Sequence, residues 1–309
     1  MTATDTHAIH LGDWTPGTPE WHAARANGIG GSEVAAVLGL SPFESRFSLW
    51  HRKAGQVGPV EQSDAMEWGN RLEDAVATKF ADEHPEYQLS PAGTWTHPDR
   101  PWQIANPDRF IAHHSTGDET LLEIKTARYG DDWGTEGTDE IPIYYRVQCL
   151  WYLDVLGLDT CHVAVLIAGQ DYREYTVTYD QTEAEFIRAE VRAFLDTIDA
   201  GERPSIDDHT ATYQAIRELH PAIDGTDHEL DDHIATTYVE ARNRLATVTA
   251  QEQYARSLLA DAMGDAKTAR WGAHIIARRQ ARGGGAPDVV AARNLPDLTG
   301  ATPTKETHR

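Results

Sequence analysis

The sequence is poor in cysteine and in long apolar runs. Two cysteines among 309 residues, Cys149 and Cys161, cannot build a disulfide framework, a four-thiolate zinc site or a four-cysteine iron–sulfur cluster. The apolar runs are interrupted within about ten residues, whereas roughly 20 are needed to cross a bilayer. No basic cluster followed by an apolar stretch marks the start of the chain, so a secretory signal is not expected. These features predict a cytoplasmic protein with no membrane partner.

Positive charge is also scarce. The chain has 27 lysines and arginines against 49 acidic residues, which gives a formal net charge of −22 at pH 7. Taken alone, this balance argues against a nucleic-acid partner, because phosphate binding is normally driven by lysine and arginine. The acidic residues are spread along the chain, however, and such a spread is typical of a solvated surface that can include a local metal site.

The spacing of the apolar residues predicts a mixed α/β fold. A helix is expected from Asp64 to Asp82 and a second from Pro142 to Leu156. A third helix is expected over 182–199, opened by a capping box of Thr182 and Glu185. Short strands are predicted at 94–97, 102–105, 109–112, 121–127, 162–167 and 174–178, the first four as one meander.

The chain is predicted to have three parts. The segment Gly201 to Pro204 interrupts the pattern and the composition then becomes more polar, which indicates a linker. We therefore expect a core over 1–204 and an appendage over 205–282 that combines a long helix with a β-hairpin. A flexible tail is expected over 283–309, which begins with three glycines and is rich in proline and charge.

One strand carries two charged groups on a single face. Side chains alternate along a strand, so Glu123 and Lys125 project together while Leu122 and Ile124 point the other way. If Asp108 ends a neighbouring strand, two carboxylates and an ammonium group meet. A divalent cation would stabilise such a cluster, and oxygen ligands suit Mg²⁺ or Mn²⁺. The lysine could then orient or deprotonate a water molecule. The alternative is an ordinary pair of charges on a solvated edge strand.

The two helices beside this strand also carry candidate residues. Glu73 falls in the apolar stripe of the first helix, so a glutamate is expected on a buried face. Gln148 and Tyr145 share one side of the second helix, where the alternatives are a surface glutamine and a core aromatic residue.

A glycine-rich segment, 28–31, precedes Ser32 and a helix-forming run. The amide groups of such a loop and the positive end of a helix can bind an anion. The segment lacks the third glycine of a dinucleotide fingerprint and has no Gly-Lys-Ser/Thr sequence, so a nucleotide cofactor is not indicated. The alternative is that Ser32 is only an N-cap and the glycines only form a turn.

Taken together, these motifs resemble the PD-(D/E)xK nuclease superfamily, and within it the YqaJ-like viral recombinases related to phage lambda exonuclease. The resemblance extends over roughly residues 21–200. It rests on the segments 25–43 (RANGIGGSEVAAVLGLSPF), 49–50 (LW), 53–55 (KAG), 68–73 (WGNRLE), 106–108 (NPD), 122–125 (LEIK) and 141–148 (IPIYYRVQ). The implied fold is a restriction-endonuclease-like core in which a mixed β-sheet is flanked by helices.

The resemblance also implies roles for individual residues. Asp108 and Glu123 would bind the metal, Lys125 would be the catalytic lysine, and Glu73 would complete the metal site directly or through water. The backbone carbonyl of Ile124 would be a further ligand. The remaining implied roles are a positioning motif on the second helix, Gln148 with Tyr145, and a pocket for a terminal 5′ phosphate, Arg25 with Ser32.

The activity implied by the resemblance is Mg²⁺-dependent 5′→3′ degradation of one strand of linear duplex DNA, which exposes a 3′ single strand for recombination. A ring-like homotrimer, a single-strand annealing protein as partner, and an origin in a phage or prophage of a bacterial host are implied as well. Two alternatives are a nuclease of the same fold acting on single strands or as an endonuclease, and a non-catalytic protein that binds or assembles on DNA ends.

Overall fold

The computed structural model describes residues 8–14, 17–26, 28–281 and 283–298. The chain divides into two compact units, Met1–Ile223 and Asp224–Arg309. The helices are α1 (Pro19–Ala26), α2 (Gly31–Val37), α3 (Arg46–Lys53), α4 (Asp64–Glu83), α5 (Ile143–Leu156), α6 (Gln181–Ala200), α7 (Thr210–Leu219) and α8 (Asp232–Met263). The strands are β1 (Ile9–Gly12), β2 (Ile29–Gly30), β3 (Tyr87–Pro91), β4 (Thr94–His97), β5 (Arg100–Ala105), β6 (Arg109–His113), β7 (Glu119–Ala127), β8 (Thr160–Ile167), β9 (Asp171–Thr178), β10 (Thr268–Trp271), β11 (His274–Gln280) and β12 (Asp288–Ala291).

The first unit is built on a five-stranded sheet with the strand order β3-β6-β7-β8-β9. Strands β3, β6 and β7 are antiparallel neighbours, whereas β8 runs parallel to β7. A parallel neighbour requires a crossover connection, and α5 provides it. The order helix, antiparallel strands, helix, parallel strand confirms the expected mixed α/β, restriction-endonuclease-like core.

The predicted meander is wrong in one respect, because its four strands belong to two sheets. Strands β4 and β5 lie in a separate sheet of order β1-β4-β5-β2, whereas β6 and β7 lie in the five-stranded sheet. The chain passes from one sheet to the other at the segment 106–108. Pro107 has no amide hydrogen to donate to a strand ladder, and this favours a break there.

Strand β7 is covered on both faces, which fixes where its charged side chains lie. Leu122 and Ile124 pack with Val76 and Phe80 of α4 in one cluster. Leu121, on the opposite face, belongs to the main core together with the buried residues of α5. Because side chains alternate along a strand, Glu123 and Lys125 lie on the α5 side of the sheet.

The predicted helices are confirmed, with one change at a cap. Ser63 caps α4, and Gly157, with φ 69°, ends α5. Helix α6 begins earlier than expected because Asp180, and not Thr182, is its N-cap, and the Asp180 carboxylate accepts a hydrogen bond from the amide of Glu183.

The division of the chain lies later than residue 204. Helix α7, which the sequence did not predict, belongs to the first unit. There the hydroxyl of Thr212 lies 2.7 Å from that of Ser45, the N-cap residue of α3. The predicted appendage therefore begins near Asp224.

The second unit consists of α8 and the sheet β10-β11-β12, with a small core of Met263, Ala277 and Val289. The expected long helix and hairpin are present. The expected tail differs in part, because residues 288–291 form β12, which pairs with β11, and residues 299–309 lie outside the described residues. Within the described ranges, no helix is both long and apolar enough to cross a membrane.

Candidate active site

Asp108 lies at the point where β6 begins. The ladder between β6 and β7 starts with Arg109, the first residue of β6, opposite Leu122, so the amide of Ile124 lies beyond the start of β6. The Asp108 carboxylate provides the hydrogen-bond acceptor that a backbone carbonyl of β6 would otherwise provide. Its Oδ2 accepts a hydrogen bond of 2.7 Å from the amide nitrogen of Ile124. This bond holds the Asp108 carboxyl group against β7, although Asp108 precedes β6 and does not end a strand.

Glu123 is almost fully buried, with 1% of its surface exposed. Its Oε1 accepts hydrogen bonds from Nζ of Lys125 at 2.6 Å and from Nε2 of Gln148 at 2.7 Å. Its Oε2 is buried and has no hydrogen-bond partner among the described residues. An unpartnered buried carboxylate oxygen is costly, so it indicates a ligand that the protein atoms do not supply.

The electrostatics of the cluster follow from this crowding. Desolvation and the charge of Glu123 raise the pKa of Asp108 well above its ordinary value, and desolvation also raises the pKa of Glu123. Burial alone would lower the pKa of Lys125, but the charges of Glu123 and Asp108 raise it well above its ordinary value. Nζ of Lys125 donates a hydrogen bond to Oε1 of Glu123, which holds the lysine beside the two carboxyl groups, where it could orient or deprotonate a water molecule.

Helix α5 supplies the next layer of the site. Gln148 donates to both Oε1 of Glu123 and the hydroxyl of Tyr152, the latter at 2.9 Å. The ammonium group of Lys125 lies 4.9 Å from the ring centre of Tyr145, a cation–π contact. The structure therefore brings Tyr145 and Gln148 to the charged strand, and Gln148 is buried rather than a surface residue.

The expectation that Glu73 is buried is wrong. Its side chain is 31% exposed, and its Oε1 accepts a hydrogen bond of 2.6 Å from Arg109. Arg109 also pairs with Asp74, so the guanidinium group lies between the two carboxylates of α4. The apolar stripe correctly predicted which face of α4 carries Glu73. The first turns of α4 are more exposed than its second half, however, where Val76 and Phe80 are buried. The charge of Glu73 still raises the pKa of Asp108 and of Glu123.

The residues at this site fit a hard divalent cation. The donors are carboxylate oxygens of Asp108 and Glu123, and Oε2 of Glu123 is the atom that lacks a partner. Within the described ranges, no three or more His, Cys, Asp or Glu side chains are gathered closely enough to hold a metal ion by themselves. A cation at this position would therefore complete its coordination with water and backbone oxygen, which is typical of Mg²⁺.

A second polar cluster lies at the start of α2. The guanidinium group of Arg25 donates to Oγ of Ser32 at 3.0 Å and to Oδ1 of Asn106 at 3.4 Å, and it lies 4.3 Å from the ring centre of Trp21. Arg25 is buried, whereas Ser32 is exposed. The structure thus brings together the two residues predicted to hold a phosphate, and Asn106 joins them to the segment that ends in Asp108.

The interpretation of Ser32 as the N-cap of the helix is wrong. The N-cap of α2 is Gly30, whose amide donates to Oε2 of Glu33 at 2.8 Å. The glycines do more than form a turn. A methyl group at Gly30 would overlap the guanidinium group of Arg25, and one at Gly31 would overlap the ring of Tyr152. Glycine is therefore needed where α2 approaches the site.

Several residues at the site were not predicted. Glu33 is buried within ion-pair distance of Arg25, Arg52 and Lys53. Burial alone would raise the pKa of Glu33, but these three cations and the amide of Gly30 lower it well below its ordinary value. No spacing in the sequence joins these positions. Tyr152 does share a helix face with Gln148, so the helical repeat was the available signal for its role.

The sheet order, the α5 crossover and the Asp108–Glu123–Lys125 cluster define a protein of the PD-(D/E)xK nuclease fold class. Residues 20–159 match the family model of the YqaJ-like viral recombinase domain. The chain is 33% identical over 205 residues to the uncharacterized protein YqaJ of Bacillus subtilis, an alignment that covers 64% of this chain. The chain spans 62% of the length of that relative.

The fold is also similar to that of two solved structures. One is an alkaline exonuclease, LHK-Exo, from Laribacter hongkongensis, with 22% identity and a TM-score of 0.48 over 66% of this chain and 100% of the other. The second is a phage-related exonuclease from Haemophilus somnus, with 13% identity and a TM-score of 0.41 over 56% of this chain and 94% of the other.

Proposed function

We propose that this protein is a divalent-metal-dependent exonuclease that degrades one strand of linear double-stranded DNA in the 5′→3′ direction and leaves a 3′ single strand for recombination. The observation that carries the proposal is the buried Glu123, whose Oε2 has no partner in the described structure while its Oε1 is held by Lys125 and Gln148. Such an atom, beside the carboxylate of Asp108, supports a metal site built for phosphodiester chemistry.

Asp108 and Glu123 are proposed to hold Mg²⁺, with Mn²⁺ as a substitute, and the carbonyl of Ile124 as a further ligand. Glu73 is proposed to complete the site directly or through water, since its charge raises the pKa of both Asp108 and Glu123. When bound, the cation would polarise the scissile phosphate and lower the pKa of a water molecule. Lys125, as a cation, would orient that water and offset charge developing on the phosphate. Gln148 and Tyr145 would fix Glu123 and Lys125 in position.

Arg25 and Ser32 are proposed to bind the terminal 5′ phosphate of the strand being degraded. Ser32 is exposed at the start of α2, and its hydroxyl accepts a hydrogen bond from the buried guanidinium group of Arg25. Both are linked through Asn106 to the segment that carries Asp108. This arrangement supports a site that distinguishes a DNA end from an internal position.

The net charge of −22 is compatible with this proposal because net charge does not describe the binding surface. Some of the acidic residues belong to the metal site, where they attract the cation that the reaction needs. Affinity for DNA is therefore expected to be modest and salt-sensitive. A homotrimer and a single-strand annealing partner, implied by the family, are part of the proposal. The partner is tested by co-purification of the chain with an annealing protein.

The test is digestion of linear duplex DNA that is 5′-phosphorylated and labelled at one end or the other. With Mg²⁺ or Mn²⁺, the wild-type chain should release nucleotides from the 5′ end and spare closed circles. Lys125→Ala should abolish the digestion, whereas Lys79→Ala, which changes an exposed lysine of α4, should not.

Each alternative predicts a different result. Cleavage of closed circles would favour an endonuclease, and digestion restricted to single strands would favour a single-strand exonuclease. No digestion with either metal, together with retained binding to DNA ends, would favour a non-catalytic end-binding protein and contradict the proposal.

A further inference from the structure

Helix α8 carries an apolar stripe that the described residues of its own unit do not cover. Ile234, Tyr238, Leu245 and Val248 are each more than half exposed. Only the last turns of the helix pack in the core of the second unit, through Leu259, Ala260 and Met263. The uncovered part, from Ile234 to Ala255, is about 33 Å long at 1.5 Å per residue.

Part of the apolar surface of α8 follows a heptad repeat, with members separated by alternating steps of four and three residues, whereas the exposed Val239, Tyr254 and Leu258 lie outside the repeat. The members of this heptad stripe are Ile234, Tyr238, Ala241, Leu245, Val248, Glu252, Ala255 and Leu259. A repeat of 3.5 residues keeps one seam of a helix facing a second helix of the same kind, which is the coiled-coil arrangement. A helix that packs on a globular core instead has a wider apolar face with a period of 3.6.

The helix also needs a partner on energetic grounds. Its exposed part includes Thr236, Thr237, Thr247, Val248 and Thr249, all of which have low helix propensity. A helix in a protein is stabilised mainly by packing of its apolar face, and an isolated segment of this length is marginal in water. The exposed face of α8 therefore indicates a partner outside its own unit.

The sequence of the stripe is complementary to itself when two copies run antiparallel. With the two helices crossing between residues 246 and 247, Leu245 of one chain faces Val248 of the other. The large Tyr238 then faces the small Ala255, and Glu252 faces the small Ala241. Layers of this kind alternate large and small side chains, as close packing requires.

The charges favour the same orientation. In the antiparallel pair, Glu252 of one chain lies beside Arg242 of the other, which flanks Ala241, and Arg244 lies opposite Gln251. Arg242, Arg244 and Glu252 make no ion pair or hydrogen bond with the other residues that the structure describes, so they are available to a partner. In a parallel pair, Glu252 would instead face Glu252 in an apolar seam, and burial of two like charges is costly.

We propose that α8 is a self-association helix that joins two copies of this chain in an antiparallel coiled coil. The heptad stripe forms the contact, and the pairing of Glu252 with Arg242 of the other chain favours the antiparallel orientation. This contact is independent of the proposed nuclease activity and of any association through the first unit.

The first test measures the mass of the full-length chain in solution by light scattering and by sedimentation. Leu245→Asp places a charge in the seam and should reduce the mass by half. Ala250→Asp places the same charge on the opposite face of α8 and loses more helix propensity, yet it should leave the mass unchanged. An unchanged mass for Leu245→Asp, or an equal loss for both variants, would overturn the proposal.

The second test uses charge reversal, which leaves the apolar residues of the seam unchanged. Arg242→Glu should weaken self-association because it places a carboxylate beside Glu252 of the other chain. The double variant Arg242→Glu/Glu252→Arg should restore it. The two positions lie ten residues apart on one helix and cannot pair within it. Failure of the double variant to restore the wild-type mass would rule out the antiparallel arrangement.

Discussion

The side-chain nitrogen of Gln148 lies 2.7 Å from Oε1 of Glu123. This bond and the one from Lys125 both use the same oxygen, so they turn the other oxygen of the carboxylate away from the protein donors. Gln148 is itself fixed by the hydroxyl of Tyr152. A chain of hydrogen bonds within α5 therefore determines which oxygen of Glu123 is left for a ligand.

Tyr152→Phe should lower kcat with little change in KM. The loss of one neutral hydrogen bond is worth about 0.5–1.5 kcal/mol, which corresponds to roughly a two- to tenfold decrease in rate. Steady-state digestion of linear duplex DNA measures this effect. Tyr179→Phe, which removes a hydrogen bond to Asp154 away from the site, is the matched control and should retain the wild-type kcat. A change in KM alone would contradict a positioning role.

Divalent cations should stabilise the folded protein through Asp108 and Glu123. A ligand that binds only the folded state stabilises it by about 2.7 kcal/mol at a concentration 100-fold above its Kd. Thermal unfolding should therefore show a rise in Tm with Mg²⁺ or Mn²⁺ that is absent in Asp108→Asn and in Glu123→Gln. Glu83→Gln, which changes an exposed residue of α4, should keep the rise. An undiminished rise in both site variants would place the cation elsewhere.

Ser32→Ala should reduce the preference for 5′-phosphorylated ends and leave stability unchanged. The side chain is exposed, and among the described residues its hydroxyl forms a hydrogen bond with Arg25 alone. Initial rates on phosphorylated and unphosphorylated duplexes should become more similar. Ser41→Ala, which changes a hydroxyl of the loop after α2, serves as the control. An equal fall in rate on both substrates would argue against a role in phosphate binding.

Glu33→Gln should destabilise the protein at neutral pH by about 3–5 kcal/mol, because it leaves Arg25 and Lys53 without their buried counter-ion and leaves Arg52 with Glu44 alone. The folded-state pKa of Glu33 lies below its ordinary value of 4.5, so its stabilisation is present above that pH and is lost as the pH falls towards the folded-state pKa.

The difference between wild type and Glu33→Gln should therefore narrow as the pH decreases below about 4.5. Denaturant titrations at several pH values measure it. Glu44→Gln is the control, since burial raises the pKa of Glu44 and its removal should leave the acid-induced loss of stability in place. A constant difference at all pH values would show that Glu33 does not titrate as described.

Local patterns in the sequence predicted most of the elements. The apolar period and the cap residues placed α4 and α5, and the alternation of side chains placed Glu123 and Lys125 together. These features depend on neighbours within a few residues along the chain, so they can be read from the sequence directly.

Pairings between distant segments were not predictable in the same way. Pro107 favours a break between β5 and β6, but nothing local indicates that β4 and β5 join a different sheet, or that α7 packs near Ser45. The half-exposed position of Glu73 depends on Arg109, which lies 36 residues away. The Glu33 cluster likewise joins three elements. In each case the deciding interaction is a long-range contact whose partner the sequence does not reveal.

The close approach of Gly31 to the ring of Tyr152 has a mechanical consequence. At Gly31 the backbone of α2 contacts the ring of Tyr152 directly, so a shift of α2 along α5 would push on Tyr152 and, through Gln148, on Glu123. The position of the Arg25–Ser32 cluster is thereby tied to that of Glu123 on β7. A DNA strand that bound at both clusters would have to fit the distance that the packing of α2 on α5 sets.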